Sequence, residues 1–207
     1  MSKSEITLLD CEYFPCIAWY QSFVQAQHLS IEMYEHFVRS SYRNRCELTG
    51  PNGKIMLSIP LESGRNQRTL MKDTKVCNRQ AWQALHWKTL VACYGRAPYF
   101  EYYEAPLQSF FQKKFVYLTD VNLEAIALIN RLLRIDNIWN LTTHYEKYPQ
   151  HPTLDLRTAY SPHQAINKTF TPYIQNFEER NGFQPNLSIL DMLFCLGNHS
   201  LDVLLKP

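Results

Sequence analysis

The order of apolar patterns near the N-terminus constrains this chain most. Ile6 to Leu9 is a short apolar run ended by Asp10, which suits a buried strand. Pro15 fits the first turn of a helix. Ile17, Tyr20, Phe23 and Val24 then recur at three- and four-residue spacing, which predicts a helix over residues 17–27 with one face laid on a sheet. Leu29, Ile31 and Met33 alternate with Ser30, Glu32 and Tyr34, the period-two pattern of a half-buried strand. Strand, helix, strand with short connections predicts a parallel βαβ start, and such sheets place ligands beyond the carboxyl ends of their strands. Asp10 to Pro15 and Tyr34 to Phe37 are expected at that edge.

The next signal is a turn. Gly50-Pro51-Asn52-Gly53 sets φ with proline and frees it with glycine. It predicts a hairpin with arms Tyr42 to Leu48 and Lys54 to Ile59, joining the βαβ unit in a mixed sheet. Residues 63–72, with Gly64, Arg65, Arg68 and Lys72, read as an exposed polar loop, and Lys75 to Cys77 as one more short strand. A helix capped by Asn78 is expected to run to Tyr94 with Gly95 at its end. Two more follow, around Leu107 to Gln112 and after a cap at Thr119 or Asp120. Ile138 to Tyr145 favours a strand. Residues 146–172, with Pro149, Pro152, Pro162 and Pro172, fit no regular pattern, and Ser188 caps a last helix that Gly197 ends. The expected fold class is therefore α/β in a single domain over 1–207: sheet-rich over 1–77, helical over 78–135, irregular and then helical over 136–207.

Composition narrows the function classes. A net charge of +2 across 207 residues, with no run of like charges, is too small for a general polyanion binder, so nucleic acid is not an expected partner. The apolar runs lead us to expect neither a signal peptide nor a membrane span. The six cysteines are scattered without a C-x-x-C pair, as in reduced cytoplasmic proteins rather than disulfide frameworks or zinc sites. The common nucleotide, hydrolase and protease motifs are missing, and cofactor and oligomeric state stay open.

The chemistry-bearing candidates cluster around Ser41-Tyr42-Arg43-Asn44-Arg45-Cys46. If this stretch is a strand, Arg43 and Arg45 share a face and offer two planar forks to a phosphate or carboxylate. The alternative is a solvated face paired to acids such as Glu47. Asn44, Tyr13, Tyr42 and Tyr94 complete the candidate substrate-binding set; these aromatics suit a stacking pocket or a core equally. His86 and His36 are the candidates to move a proton, weighed against packed histidines. Cys46 is expected in the core. Asp10 and Glu12 suit a sugar hydroxyl, but without a paired histidine they form no metal signal. Asp191 reads as part of a capping box with Ser188.

An ordered series of motifs resembles the WbqC-like family. It comprises Glu12-Tyr13-Phe14-Pro15, Tyr34-Glu35-His36, Tyr42-Arg43-Asn44-Arg45-Cys46, Gly50-Pro51-Asn52-Gly53 with Leu57-Ser58-Ile59-Pro60, His86-Trp87-Lys88-Thr89, Ala97-Pro98-Tyr99-Phe100 and Pro185 to Asp191. The short form resembles versions common in Bacteroidetes-type bacteria. The resemblance implies a bacterial protein of surface-polysaccharide (O-antigen-type) biosynthesis. The expectation is a transferase or modifying enzyme that binds a small anionic ligand, such as a nucleotide sugar or acyl donor; the alternative is a non-catalytic binding or scaffold protein. The chain departs from longer members at Asp10-Cys11, at Cys16-Ile17-Ala18 and in the absence of a glycine-rich segment before Pro185.

Overall fold

The computed structural model describes residues 5–62, 68–150, 152–163 and 168–206; residues 63–67 of the predicted polar loop lie outside these. Strand β1 (Ile6–Asp10) leads through helix α1 (Ile17–Gln25) to β2 (His28–Glu32), and β1 and β2 pair in parallel from Ile6 opposite His28 to Asp10 opposite Glu32. Two short strands complete the sheet. β5 (Trp139–Leu141) adds beside β2 and β6 (Thr153–Asp155) beside β1, both parallel, in the order β5-β2-β1-β6. The sheet is thus wholly parallel, and Asp10, Glu32 and Asp155 all stand at its carboxyl edge.

The hairpin forms where the turn predicts it, as β3 (Arg45–Gly50) and β4 (Gly53–Ser58). Gly53 has φ 105°, a conformation that glycine adopts without steric cost. The hairpin stands as its own two-stranded sheet rather than joining the parallel one. Strand β3 lies against α6 (Ile189–Leu196), which also contacts α1. One buried apolar cluster nevertheless runs through both, from Leu9 and Ile31 through Trp19 and Phe23 to Leu48, Phe110 and Phe194.

The middle is helical as expected: α2 (Trp82–Tyr94), α3 (Phe100–Gln112) and α4 (Leu118–Leu133), with the short α5 (Glu178–Asn181) and α7 (Ser200–Leu204) near the end. Asn78 does not cap α2, because its side chain donates to the Phe115 carbonyl at 2.8 Å and the helix begins at Trp82. α3 takes in the tyrosine-rich stretch and carries Pro106 within it. α4 begins at Leu118, ahead of both predicted caps. Lys75 and Val76 make only isolated bridges, to Tyr117 and Leu61. β6 arises inside the segment read as irregular, too short and too polar at its flanks to show a period.

Candidate functional site

The two arginines part company. Tyr42 to Asn44 form a turn before β3, so the alternation that put Arg43 and Arg45 on one face begins only at Arg45. Arg43 turns into the protein and is 2% exposed. Its Nε donates to Glu35 Oε1 at 2.7 Å and its Nη2 to Glu35 Oε2 at 2.8 Å and the Arg157 carbonyl at 3.0 Å. Its Nη1 lies 3.2 Å from Asp10 Oδ2. The fork that was expected to clasp a ligand is filled by the protein's own acids.

Around Arg43 the carboxyl edge of the parallel sheet is a buried charge cluster. Arg157, just past β6, donates to Glu32 Oε2 at 3.0 Å and forks onto Asp155 at 2.9 and 2.6 Å. Its guanidinium lies 4.9 Å from the Tyr145 ring centre. Glu32 also accepts from Tyr34 N at 2.8 Å and Thr142 Oγ1 at 2.9 Å. Burial pushes the Asp10 carboxyl up to about 7 against the pull of Arg43, and pushes Glu12 well above the usual carboxylate range. Among the described residues no three His, Cys, Asp or Glu side chains are placed to hold a metal ion.

Arg45 stays outside this cluster. With Asn44 it lines an open hollow of about 440 Å³, whose other walls are Arg39, Ser40, Phe37, Ile59, Pro60 and Leu61. The Nε of Arg45 is buried and has no hydrogen-bond partner. Glu47, the acid that the sequence offers it, is taken by Tyr42 at 3.1 Å and Lys54 at 3.2 Å. Asn44 holds the rim in shape. Its Nδ2 donates to the Ile59 carbonyl and its own carbonyl accepts from Ile59 N, both at 2.9 Å. Ser40 is held at φ 55°, a left-handed conformation that non-glycine residues seldom adopt.

The histidines do not join the hollow. His86 is 1% exposed, with Nε2 3.2 Å from the Ser58 carbonyl and Nδ1 3.0 Å from the Tyr13 hydroxyl. A carbonyl can only accept, so Nε2 carries the proton and Nδ1 accepts from Tyr13. Burial pushes His86 down to about 4, which keeps it neutral at pH 7. Both nitrogens being engaged, it is a satisfied core histidine. His36 is exposed, bridges Leu70 through its backbone and is not among the residues lining the hollow.

Nor do the tyrosines form a stacking pocket. Tyr13 is spent on His86 and Tyr42 on Glu47; both are buried. Tyr94 donates to Asp191 Oδ1 at 2.7 Å and accepts from Thr49 N at 3.1 Å. Asp191 is not a capping-box partner. Its other oxygen accepts from Tyr173 at 2.5 Å and Gln175 at 3.1 Å, while Ser188 caps α6 through Leu190 N at 3.3 Å. Cys46 lies in the core as expected, and all six cysteines are free and buried.

Arg39 and Arg157 carry no signal in the sequence, and Glu35 stands out there only as part of the Tyr34–Phe37 edge and its motif. Arg157 stands 125 positions from Glu32 with no motif around it, and only the β1-β6 pairing brings the two together.

No helix among the described residues is long and apolar enough to cross a membrane. No curated protein and no solved structure matches the chain. One family does, over residues 11–169, a span that includes the hollow, the hairpin and the residues gathered at the carboxyl edge except Asp10. By that match over most of its length, the chain belongs to the WbqC-like protein family.

Proposed function

We propose that this chain binds the phosphate or carboxylate of a polysaccharide precursor, an activated sugar or an acyl donor, in the hollow at Arg45. Membership of the WbqC-like family suggests the polysaccharide context. The observation that carries the reading is the Arg45 Nε, buried without a hydrogen-bond partner in a side chain that lines, with Arg39 and Asn44, an open concavity. A buried donor without an acceptor is costly, and an anion would satisfy it. The volume lies in the range of small-molecule sites.

A transferase acting on the same donor is the second reading. It requires a proton carrier within hydrogen-bond reach of the ligand, and His86 is committed to Tyr13 and Ser58. Binding without chemistry is therefore the form that the geometry favours. Calorimetric titration with inorganic phosphate, a sugar 1-phosphate, a nucleotide sugar and an acyl phosphate tests it. At least one should bind the wild type and bind a folded Arg45→Gln variant about tenfold or more weakly, since a charge-assisted hydrogen bond is worth about 1.5–3 kcal/mol. Equal binding by both, or none by the wild type, refutes the proposal; turnover of the donor would restore the transferase.

A further inference from the structure

Acids outnumber bases at the carboxyl edge of the parallel sheet. Arg43 and Arg157 face Asp10, Glu12, Glu32, Glu35 and Asp155, and the geometry apportions them unevenly. Glu35 takes a two-pronged contact from Arg43, while Glu32 and Asp155 share Arg157. Asp10 is left with Arg43 Nη1 at 3.2 Å, an ion-pair distance without hydrogen-bond geometry, and Glu12 with no guanidinium contact. Both residues are 0% exposed, and among the described residues no side-chain donor hydrogen-bonds any of their four oxygens; the only donors toward them are backbone N–H groups, of Cys16 toward Glu12 and of Asp10 toward its own carboxyl.

The other groups facing the pair do not relieve it. The Cys11 and Cys16 thiols are held neutral by burial, as are the phenols of Tyr42 and Tyr160. Asn122 Nδ2, from α4, is spent on the carbonyls of Cys11 and Arg43. Tyr160 is 2.5 Å from the Ser22 hydroxyl, and Lys168 stands over the Tyr160 ring at 5.7 Å. Two ionised carboxylates enclosed together with one guanidinium at ion-pair distance are costly, and a single proton between them relieves the excess charge.

We propose that Asp10 and Glu12 bind one proton between them at neutral pH, with Glu12 donating it and Asp10 accepting, so that the enclosed pair is a proton-binding site of the folded chain. A proton is the ligand that needs no room, and no third carboxylate, histidine or cysteine is placed with the pair to hold a metal ion among the described residues. The geometry agrees with this order: burial lifts both carboxyls and Arg43 pulls both down, but only Asp10 has the guanidinium at ion-pair distance. In the unfolded chain both carboxyls release their protons near pH 4. The folded state therefore holds more protons than the unfolded chain from there through neutral pH, so its stability falls as pH rises until the folded pair gives the proton up. The site is separate from the hollow at Arg45 and does not depend on what binds there.

The full chain is unfolded calorimetrically at pH 7 in two buffers of different ionisation enthalpy, which counts the protons exchanged. The wild type should release about one proton more than Glu12→Gln, whose amide imitates the protonated acid. In infrared difference spectra the folded wild type should show a protonated-carboxyl carbonyl band at pH 7 that disappears in Glu12→Gln. Equal proton release overturns the proposal. So does a wild type without the band, a measurement that needs no variant. If Glu12→Gln fails to fold, Asp10→Asn takes its place: the band should shift or vanish there, and an unchanged band refutes the shared proton.

Discussion

Arg43 and Arg45 stand two residues apart in one motif, yet the structure gives them opposite consequences on removal. Arg43→Met strips Glu35 of two charge-assisted donors at 2.7 and 2.8 Å, Asp10 of its cation at 3.2 Å and the Arg157 carbonyl of its donor at 3.0 Å. Breaking a buried pair by deleting one partner costs about 3–5 kcal/mol, because the remaining charge is stranded. For a chain of this size each kcal/mol lowers Tm by roughly 2–4 °C, so the expected drop is about 6–20 °C. Arg45→Met removes an Nε that bonds to nothing, and its loss should stay within about 1 kcal/mol. Thermal and urea unfolding, followed by circular dichroism with the urea slope checked for constancy, measure both. Rescue is expected as well: Glu35→Gln placed in the Arg43→Met background removes the stranded charge and should recover part of the loss, a coupling that a double-mutant cycle reads directly. Equal destabilisation by the two methionine variants, or an Arg43→Met variant within 1 kcal/mol of wild type, would refute the assignment of Arg43 as a buried structural cation.

Two further outcomes follow from the buried polar groups. His86 is held down to about 4, against about 6.5 when unfolded, so the stability it supports is complete above pH 6.5 and is lost as pH falls through 4, amounting to about 3 kcal/mol. His86→Gln should flatten that acid limb; an unchanged slope in stability against pH would contradict it. The Asp10–Glu12 proton acts in the opposite direction over an overlapping window, so each effect must be read from its own variant. Tyr94→Phe removes a donor from Asp191 and leaves Thr49 N without an acceptor, and should cost about 1–3 kcal/mol in urea unfolding. A loss under about 0.5 kcal/mol would show that the Tyr94–Asp191 link carries no stability.

The sequence reveals some of this site and conceals the rest for identifiable reasons. Arg45 is a candidate in the sequence through the expected alternation with Arg43, and Asn44 as the residue between them; the structure puts both in the lining of one hollow. Arg43 misled because period two was applied two residues too early, across a turn that ends only at β3. His86 looked like a proton carrier from its place on a helix; nothing local to it announces that Tyr13, 73 positions away, occupies its second nitrogen. Asp191 looked like a cap for the same reason, its true partners being Tyr94, Tyr173 and Gln175.

What the sequence determined by itself is what short-range physics governs. The spacing of apolar residues made β1, α1 and β2, glycine and proline made the hairpin turn, and a serine hydroxyl capped α6. These depend on neighbours a few positions apart, whose relations any stretch of chain carries with it. Only the tertiary structure decided which charges are satisfied. Arg157 meets Glu32 and Arg43 through a strand pairing that spans most of the chain. Whether a guanidinium is a ligand's partner or the core's counter-ion, and whether a carboxyl keeps its proton, follows from burial and from which opposite charges are brought near. Neither exists until distant segments have packed together.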